Sequence, residues 1–155
     1  MSEVKTNKVS PSTGTAFTLG DSGDTFTVDA DVLQMGDNIV QRPVMKDYGE
    51  TVNAIGAIGG GTQDIDLTLG NVVTGTVDTS TTTFTFSNPP TTGTAGSFTL
   101  ILTNGGSQTV NWPAAVDWAG GSGPSLTSSG IDVITFTTID AGTIWYGFAA
   151  GLDMG

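Results

Sequence analysis

Ser97-Phe98-Thr99-Leu100-Ile101-Leu102-Thr103, followed at once by Asn104-Gly105-Gly106, decides the fold of this chain. Phe98, Leu100 and Leu102 recur at every second position with Thr between them, the period of a strand with one buried face. Asn-Gly-Gly then supplies turn chemistry, because Asn and Gly tolerate the left-handed backbone that a tight reversal needs. The same grammar continues on both sides. Residues 64–69, 73–77, 82–86, 97–103, 108–112, 131–138 and 143–149 are predicted as strands. Asn88-Pro89-Pro90, Gly120-Gly121-Ser122-Gly123-Pro124 and Asp140-Ala141-Gly142 punctuate them. Such spacing predicts a mainly β fold, an antiparallel β-sandwich or jelly-roll knob over residues 64–155, with Phe84 and Phe86 opposite Phe98, Leu100 and Leu102. Thr suits the outer faces because its branched side chain packs on a pleated surface.

Two segments precede the knob. In residues 43–58, Met45, Tyr48, Val52 and Ile55 follow a three, four, three spacing behind Pro43, which predicts one short helix. That helix is either packed on its own domain or a parallel trimeric neck. Gly49 weakens it, and Gly56 with Gly59-Gly60-Gly61 ends it, so residues 43–63 read as helix and linker. Residues 1–42 form an N-terminal arm for attachment or trimerisation. There, 16–19 and 25–28 alternate Phe17, Leu19, Phe26 and Val28 with Thr around Gly20-Asp21-Ser22-Gly23-Asp24, which predicts two short strands and a turn.

Charge narrows the function. Among 155 residues there are 15 acidic and 4 basic side chains and no His, for a net charge of −11, and the last base is Lys46. Acid–base catalysis usually employs a group titrating near neutrality, and His is the side chain that does so unperturbed. Nucleic acids and anionic membranes seek Lys and Arg, so neither is an expected partner. Cys is absent, which removes disulfides and thiolate metal sites. No apolar run behind Met1 reads as a secretory signal, and none approaches the roughly 20 residues of a membrane span.

The tempting motifs each lack a partner. Gly20-Asp21-Ser22-Gly23 matches a serine-protease nucleophile string, but no His is available to take the proton. Asp21-Ser22-Gly23 also matches the aspartic-protease triplet, of which no second copy exists. Gly121-Ser122-Gly123 runs into Pro124, and Gly59-Gly60-Gly61 lacks the continuation of a nucleotide loop. Asp21, Asp24, Asp29 and Asp31, and separately Asp64 and Asp66, are candidate oxygen ligands for a hard cation, without the order of an EF-hand. The simpler reading puts Asp64 and Asp66 on one solvent face. Trp112, Trp118, Trp145 and Tyr146 gather late in the chain. Trp112 alternates with Val110, and Tyr146 with Ile144 and Phe148, which places those rings on apolar faces. Trp118 and Trp145 are the candidates for exposed contact with a glycan. No catalytic residue and no cofactor are expected.

The run from Ser97 through Gly105-Gly106-Ser107-Gln108-Thr109-Val110-Asn111-Trp112-Pro113 to Trp118-Ala119-Gly120-Gly121 resembles a module of tailed-bacteriophage structural proteins. Ile131-Asp132-Val133-Ile134-Thr135-Phe136-Thr137-Thr138-Ile139 and Trp145-Tyr146-Gly147-Phe148 extend the likeness to residues 64–155, similar to C-terminal domains of tail-fibre proteins. Lys8-Val9-Ser10-Pro11-Ser12-Thr13-Gly14-Thr15 and residues 19–27 also resemble segments of phage fibres. The resemblance implies a non-enzymatic, commonly oligomeric virion component, assembled in the host cytoplasm. It carries over no catalytic or receptor-binding residue. The expected function is a small tail fibre or fibre-like appendage, a homotrimer contacting other virion proteins. A capsid head decoration protein and a module contacting host surface glycan stand as alternatives.

Overall fold

The computed structural model describes residues 22–25, 27–28, 33, 35 and 38–155. The chain divides into two compact units, Met1–Val44 and Met45–Gly155. In the first, Ser22 and Gly23 form an exposed turn with Gly23 at φ 97°. Phe17, Leu19, Asp21, Phe26, Asp29 and Asp31 lie outside the described residues, and with them most of the expected strand pair. Thr25, Thr27 and Val28 are exposed and in no strand.

The second unit is mainly β with mixed sheets. Its strands are β1 (Val52–Ile58), β2 (Gly61–Asp66), β3 (Val72–Val77), β4 (Thr82–Ser87), β5 (Gly96–Thr103), β6 (Val110–Asn111), β7 (Val116–Trp118), β8 (Ile131–Thr138) and β9 (Trp145–Met154). Six make a large sheet in the order β1-β3-β5-β8-β9-β7, and β2-β4-β6 make a small one.

The expected antiparallel pattern holds only for β5 with β8 and β8 with β9. Up to β6 the chain winds between the two sheets, and each strand pairs in parallel with the one laid down a turn earlier. Val52 pairs with Val72 and Gly61 with Thr82; one turn later Val72 pairs with Thr99 and Thr82 with Val110. The connections are short enough to suggest hairpins, but they are corners that pass the chain to the opposite sheet. Gly60 and Gly61 make the first corner at φ 84° and 77°, a backbone that costs Gly little. Gly59 lies against the side chains of Asp78 and Thr79 in the next corner, leaving no room for a β-carbon. Ser107 Oγ in the third corner donates to the Val77 carbonyl at 3.3 Å. Stacked corners therefore replace hairpin turns.

The helix expected over 43–58 does not form. Asp47 takes a left-handed φ of 55°, which interrupts a helix, and Val52–Ile58 pairs with β3 as an edge strand. Met45, Tyr48 and Val52 are exposed, while Ile55 packs against the core. Helical structure among the described residues is confined to 3-10 turns at Leu67–Leu69, Gly105–Ser107 and Ala119–Gly121. None is long and apolar enough to cross a membrane.

Both sheets feed one core. Phe98, Leu100, Leu102, Ile134 and Phe136 come from the large sheet, Ile65 and Phe84 from the small one, and all are buried. Phe86 of β4 meets three rings of the large sheet edge-on, with centroids 4.9 Å from Phe98, 5.0 Å from Phe136 and 5.4 Å from Trp145. Such aromatic pairs contribute about 0.5–1.5 kcal/mol each beyond the area they bury. The placement of Phe98, Leu100 and Leu102 opposite Phe84 and Phe86 agrees with their alternation in sequence.

Candidate functional site

The aromatic cluster at the end of the large sheet is built by β9. Thr137 pairs with Tyr146 and Phe136 with Gly147, so the parity of β9 follows from the inward direction of Phe136. Trp145 and Gly147 therefore face the core, and Tyr146 and Phe148 face solvent. Trp145 is 2% exposed, its backbone N–H donating to the Ala115 carbonyl at 2.8 Å. This removes Trp145 as an exposed glycan contact. It also inverts the expectation for Ile144, Tyr146 and Phe148, which lie on the open face with Phe148 53% exposed.

Trp118, on β7 opposite Gly147, is half-buried. Its ring lies 5.4 Å from Trp112 and 5.6 Å from Phe136. The remaining surface of Trp118 lines a groove of about 360 Å³ with Ser122, Pro124, Gly147, Phe148 and Ala149. Of the two tryptophans singled out from sequence, Trp118 alone borders open space. Gly147 makes that position possible, since a β-carbon there would sit 2.7–2.9 Å from the Trp118 ring. Gly147→Ala is expected to displace Trp118, shift tryptophan fluorescence and cost about 1–3 kcal/mol by overpacking. Urea unfolding followed by fluorescence checks this; unchanged emission and midpoint would contradict the packing described.

Asp64 and Asp66 are strapped into the winding. Asp64 accepts hydrogen bonds from Thr85 Oγ1 at 2.7 Å and from Ser87 Oγ, both on β4. Asp66 Oδ1 accepts from Thr68 N–H at 2.9 Å, Thr68 Oγ1 at 2.7 Å and Asn88 Nδ2 at 2.9 Å. The Asp66 cap ends β2 early and turns 67–69 into a 3-10 turn, so Leu69 is exposed rather than part of the expected strand. The carboxylates thus join one turn of the winding to the next. Among the described residues no group of three or more Asp or Glu side chains gathers at metal-binding spacing.

These contacts depress two carboxyl groups. The Asn88 amide, then the Thr68 hydroxyl and N–H, hold Asp66 below the usual carboxylate range. Asp140 is lowered first by the Ile144 N–H, with the Thr138 hydroxyl adding to it. A lowered folded-state value means that the stabilisation is complete above the unfolded carboxylate value and is lost as pH falls through the folded one. Stability is thus expected to be level through neutral pH and to decline on the acid side. Asn88→Ala should raise the Asp66 midpoint toward the ordinary value and leave Asp140 in place, as read by carboxyl NMR titration. An unmoved Asp66 midpoint would refute the dominance of Asn88.

No family model matches the chain, and neither a curated protein nor a solved structure matches it.

Proposed function

We propose that this chain is a non-enzymatic structural protein of a tailed-bacteriophage virion, a small tail fibre or fibre-like appendage that acts as a homotrimer with other virion proteins. The observation that carries the proposal is the build of the β unit: stacked parallel turns, an aromatic core across both sheets, and an outer face of the large sheet made of Thr and apolar residues. Dense backbone ladders suit a part that must survive outside the cell, because exposed side-chain charge contributes little to holding it together. We further read the two sheets as the layers of a sandwich, on the strength of the ring contacts that Phe86 makes across them. Assembly takes place in the host cytoplasm, and the particle carries the protein out.

Mass spectrometry and cryo-EM of purified virions test this. The chain is expected in particles, with density at the tail. Density on the head lattice would transfer it to the decoration reading, and abundance in lysate with absence from particles would overturn both. A glycan-contact role has one specific support, the Trp118 groove. Glycan-array binding lost on Trp118→Ala and retained in Thr62→Ala would favour it.

A further inference from the structure

We propose that the outward face of the large sheet, centred on Ile101, Val133, Thr135 and Phe148, is the surface through which copies of this chain associate. The inference rests on the self-association put forward above and names where it occurs. Strand alternation places Thr99, Ile101, Val133, Thr135, Tyr146 and Phe148 side by side on that face, with Ile101 paired to Val133 and Thr135 to Phe148. Val72, Thr74 and Thr76 of β3 and Val52 and Ala54 of β1 continue it. Each outward residue that the β1, β3, β5, β8 and β9 ladders pair is Ser, Thr, Ala, Gly, Val, Ile, Tyr, Phe or Met. Among the described residues three carboxylates border it: Glu50, which lines a pocket with Ser97, Thr99 and Thr135, Asp117 on β7 and Asp153 near the end of β9.

Charge selects the occupant. The chain carries a net charge of −11, so a second copy is repelled by any surface bearing carboxylates. The outward ladder positions of the five strands present none, and another copy stacked on Ile101, Val133 and Phe148, away from Glu50, buries no unpaired charge from the strands. The area suffices. Strands about 4.8 Å apart and roughly eight residues long at about 3.3 Å per residue span a face of about 600 Å². Two such faces bury about 1,200 Å² together, the lower bound of stable specific interfaces, and three turned toward a common axis bury roughly 1,800 Å².

The full chain is expected to sediment as an oligomer, and its association should strengthen between about 0.01 M and 1 M salt, as the screening length falls from roughly 30 Å to 3 Å. A basic partner seated on the chain would show the opposite salt dependence. Phe148→Asp and Val133→Asp should weaken self-association roughly thirty-fold or more, whereas Thr62→Asp on the outer face of the small sheet should leave it unchanged. Circular dichroism confirms that each variant is folded. Because the chain has no Cys, Thr135→Cys gives a single reporter that perturbs little, and a short bis-maleimide should join copies through it. A stable oligomer that neither aspartate weakens and Thr135→Cys does not cross-link would overturn this surface and leave self-association standing. A full chain that stays monomeric at high salt would overturn self-association itself. A monomer whose Thr135→Cys is shielded from maleimide would assign the face to the chain's own first residues, against the inference.

Discussion

Phe136→Ala is expected to destabilise the β unit by about 3–5 kcal/mol, the usual cost of removing a buried Phe side chain. Phe136 is 1% exposed, and its ring meets four others: Phe86 at 5.0 Å, Phe98 at 4.9 Å, Trp112 at 5.5 Å and Trp118 at 5.6 Å. It therefore touches both sheets and the β7 edge at once, so a cavity there is bordered by elements that cannot all close on it. Natural domains are stable by only about 5–15 kcal/mol, so the variant loses a large share of the total. Phe148→Ala is the matched control. It lies on the neighbouring strand of the same sheet, but is 53% exposed and should change the denaturant midpoint of the monomer by about 0.5 kcal/mol or less. Equal effects from the two substitutions would refute the assignment of inner and outer faces.

That pair also shows how far the residues declare the structure. Within β5 the inward period of Phe98, Leu100 and Leu102 is plain, and 131–138 is the strand predicted, although β8 turns Asp132 inward and Ile131 and Val133 outward. β9 is harder, because Tyr146 and Phe148 offer one apolar stripe and Trp145 another. The stripe that turns inward is decided by the pairing of Gly147 with Phe136 and by the space Trp118 takes, which are contacts distant in sequence. β6 is shorter than expected because Pro113 follows Trp112, and Pro lacks the N–H a ladder needs. The parallel winding was least legible. A half-buried strand alternates in the same way whether its neighbour runs parallel or antiparallel, and a corner uses the same Gly, Asn and Ser as a hairpin. Internal repetition would have announced the winding, but the unequal turns, Val52 to Val72 and then Val72 to Thr99, hide any fixed period. The 45–55 segment misled for a related reason. Four apolar residues at helical spacing are a weak signal beside β-branched Val52 and Ile55, Gly49, and a sheet edge ready to receive a strand.

The candidate site divides along the same line. The acidic character of Asp64 and Asp66 was visible, and their solvent-facing placement follows from alternation. Their partners Thr85, Ser87 and Asn88 were not, since these lie one turn of the winding later. The residues offer Trp118 and Trp145 alike as candidates for exposure; Trp118 is half-buried beside a groove, and Trp145 is core. Asp132 attracted no attention in the sequence, because a single Asp within a strand looks like any outward polar residue.

Asp132→Ala is expected to cost about 3 kcal/mol through the hydrogen bonds it removes. Asp132 is 0% exposed and sits on the inward side of β8, where Ile134 and Phe136 follow. Its carboxyl accepts from the Thr127 N–H and the Thr127 hydroxyl, each at 2.7 Å, and from the Asp153 N–H at 3.2 Å. These bonds tie the loop before β8 and the irregular end of β9 to one group, where the β8–β9 register slips and Asp153 takes a φ of 55°. Removing the carboxyl deprives two part-buried backbone N–H groups of their acceptor, and leaving a buried donor unsatisfied costs about 1–3 kcal/mol. Asp132→Asn keeps the shape but turns a donor toward Thr127, so it should recover only part of the loss. Thr127→Val removes one donor and leaves the backbone bonds, with an expected cost of about 1 kcal/mol. Hydrogen exchange separates this local role from a general loss of packing. In Asp132→Ala, the amides of Thr127 and Asp153 should lose protection ahead of those in β3 and β5, whereas Phe136→Ala should lower protection throughout both sheets. Uniform loss in Asp132→Ala would mean that the carboxyl supports the core as a whole rather than the closing of its last strand.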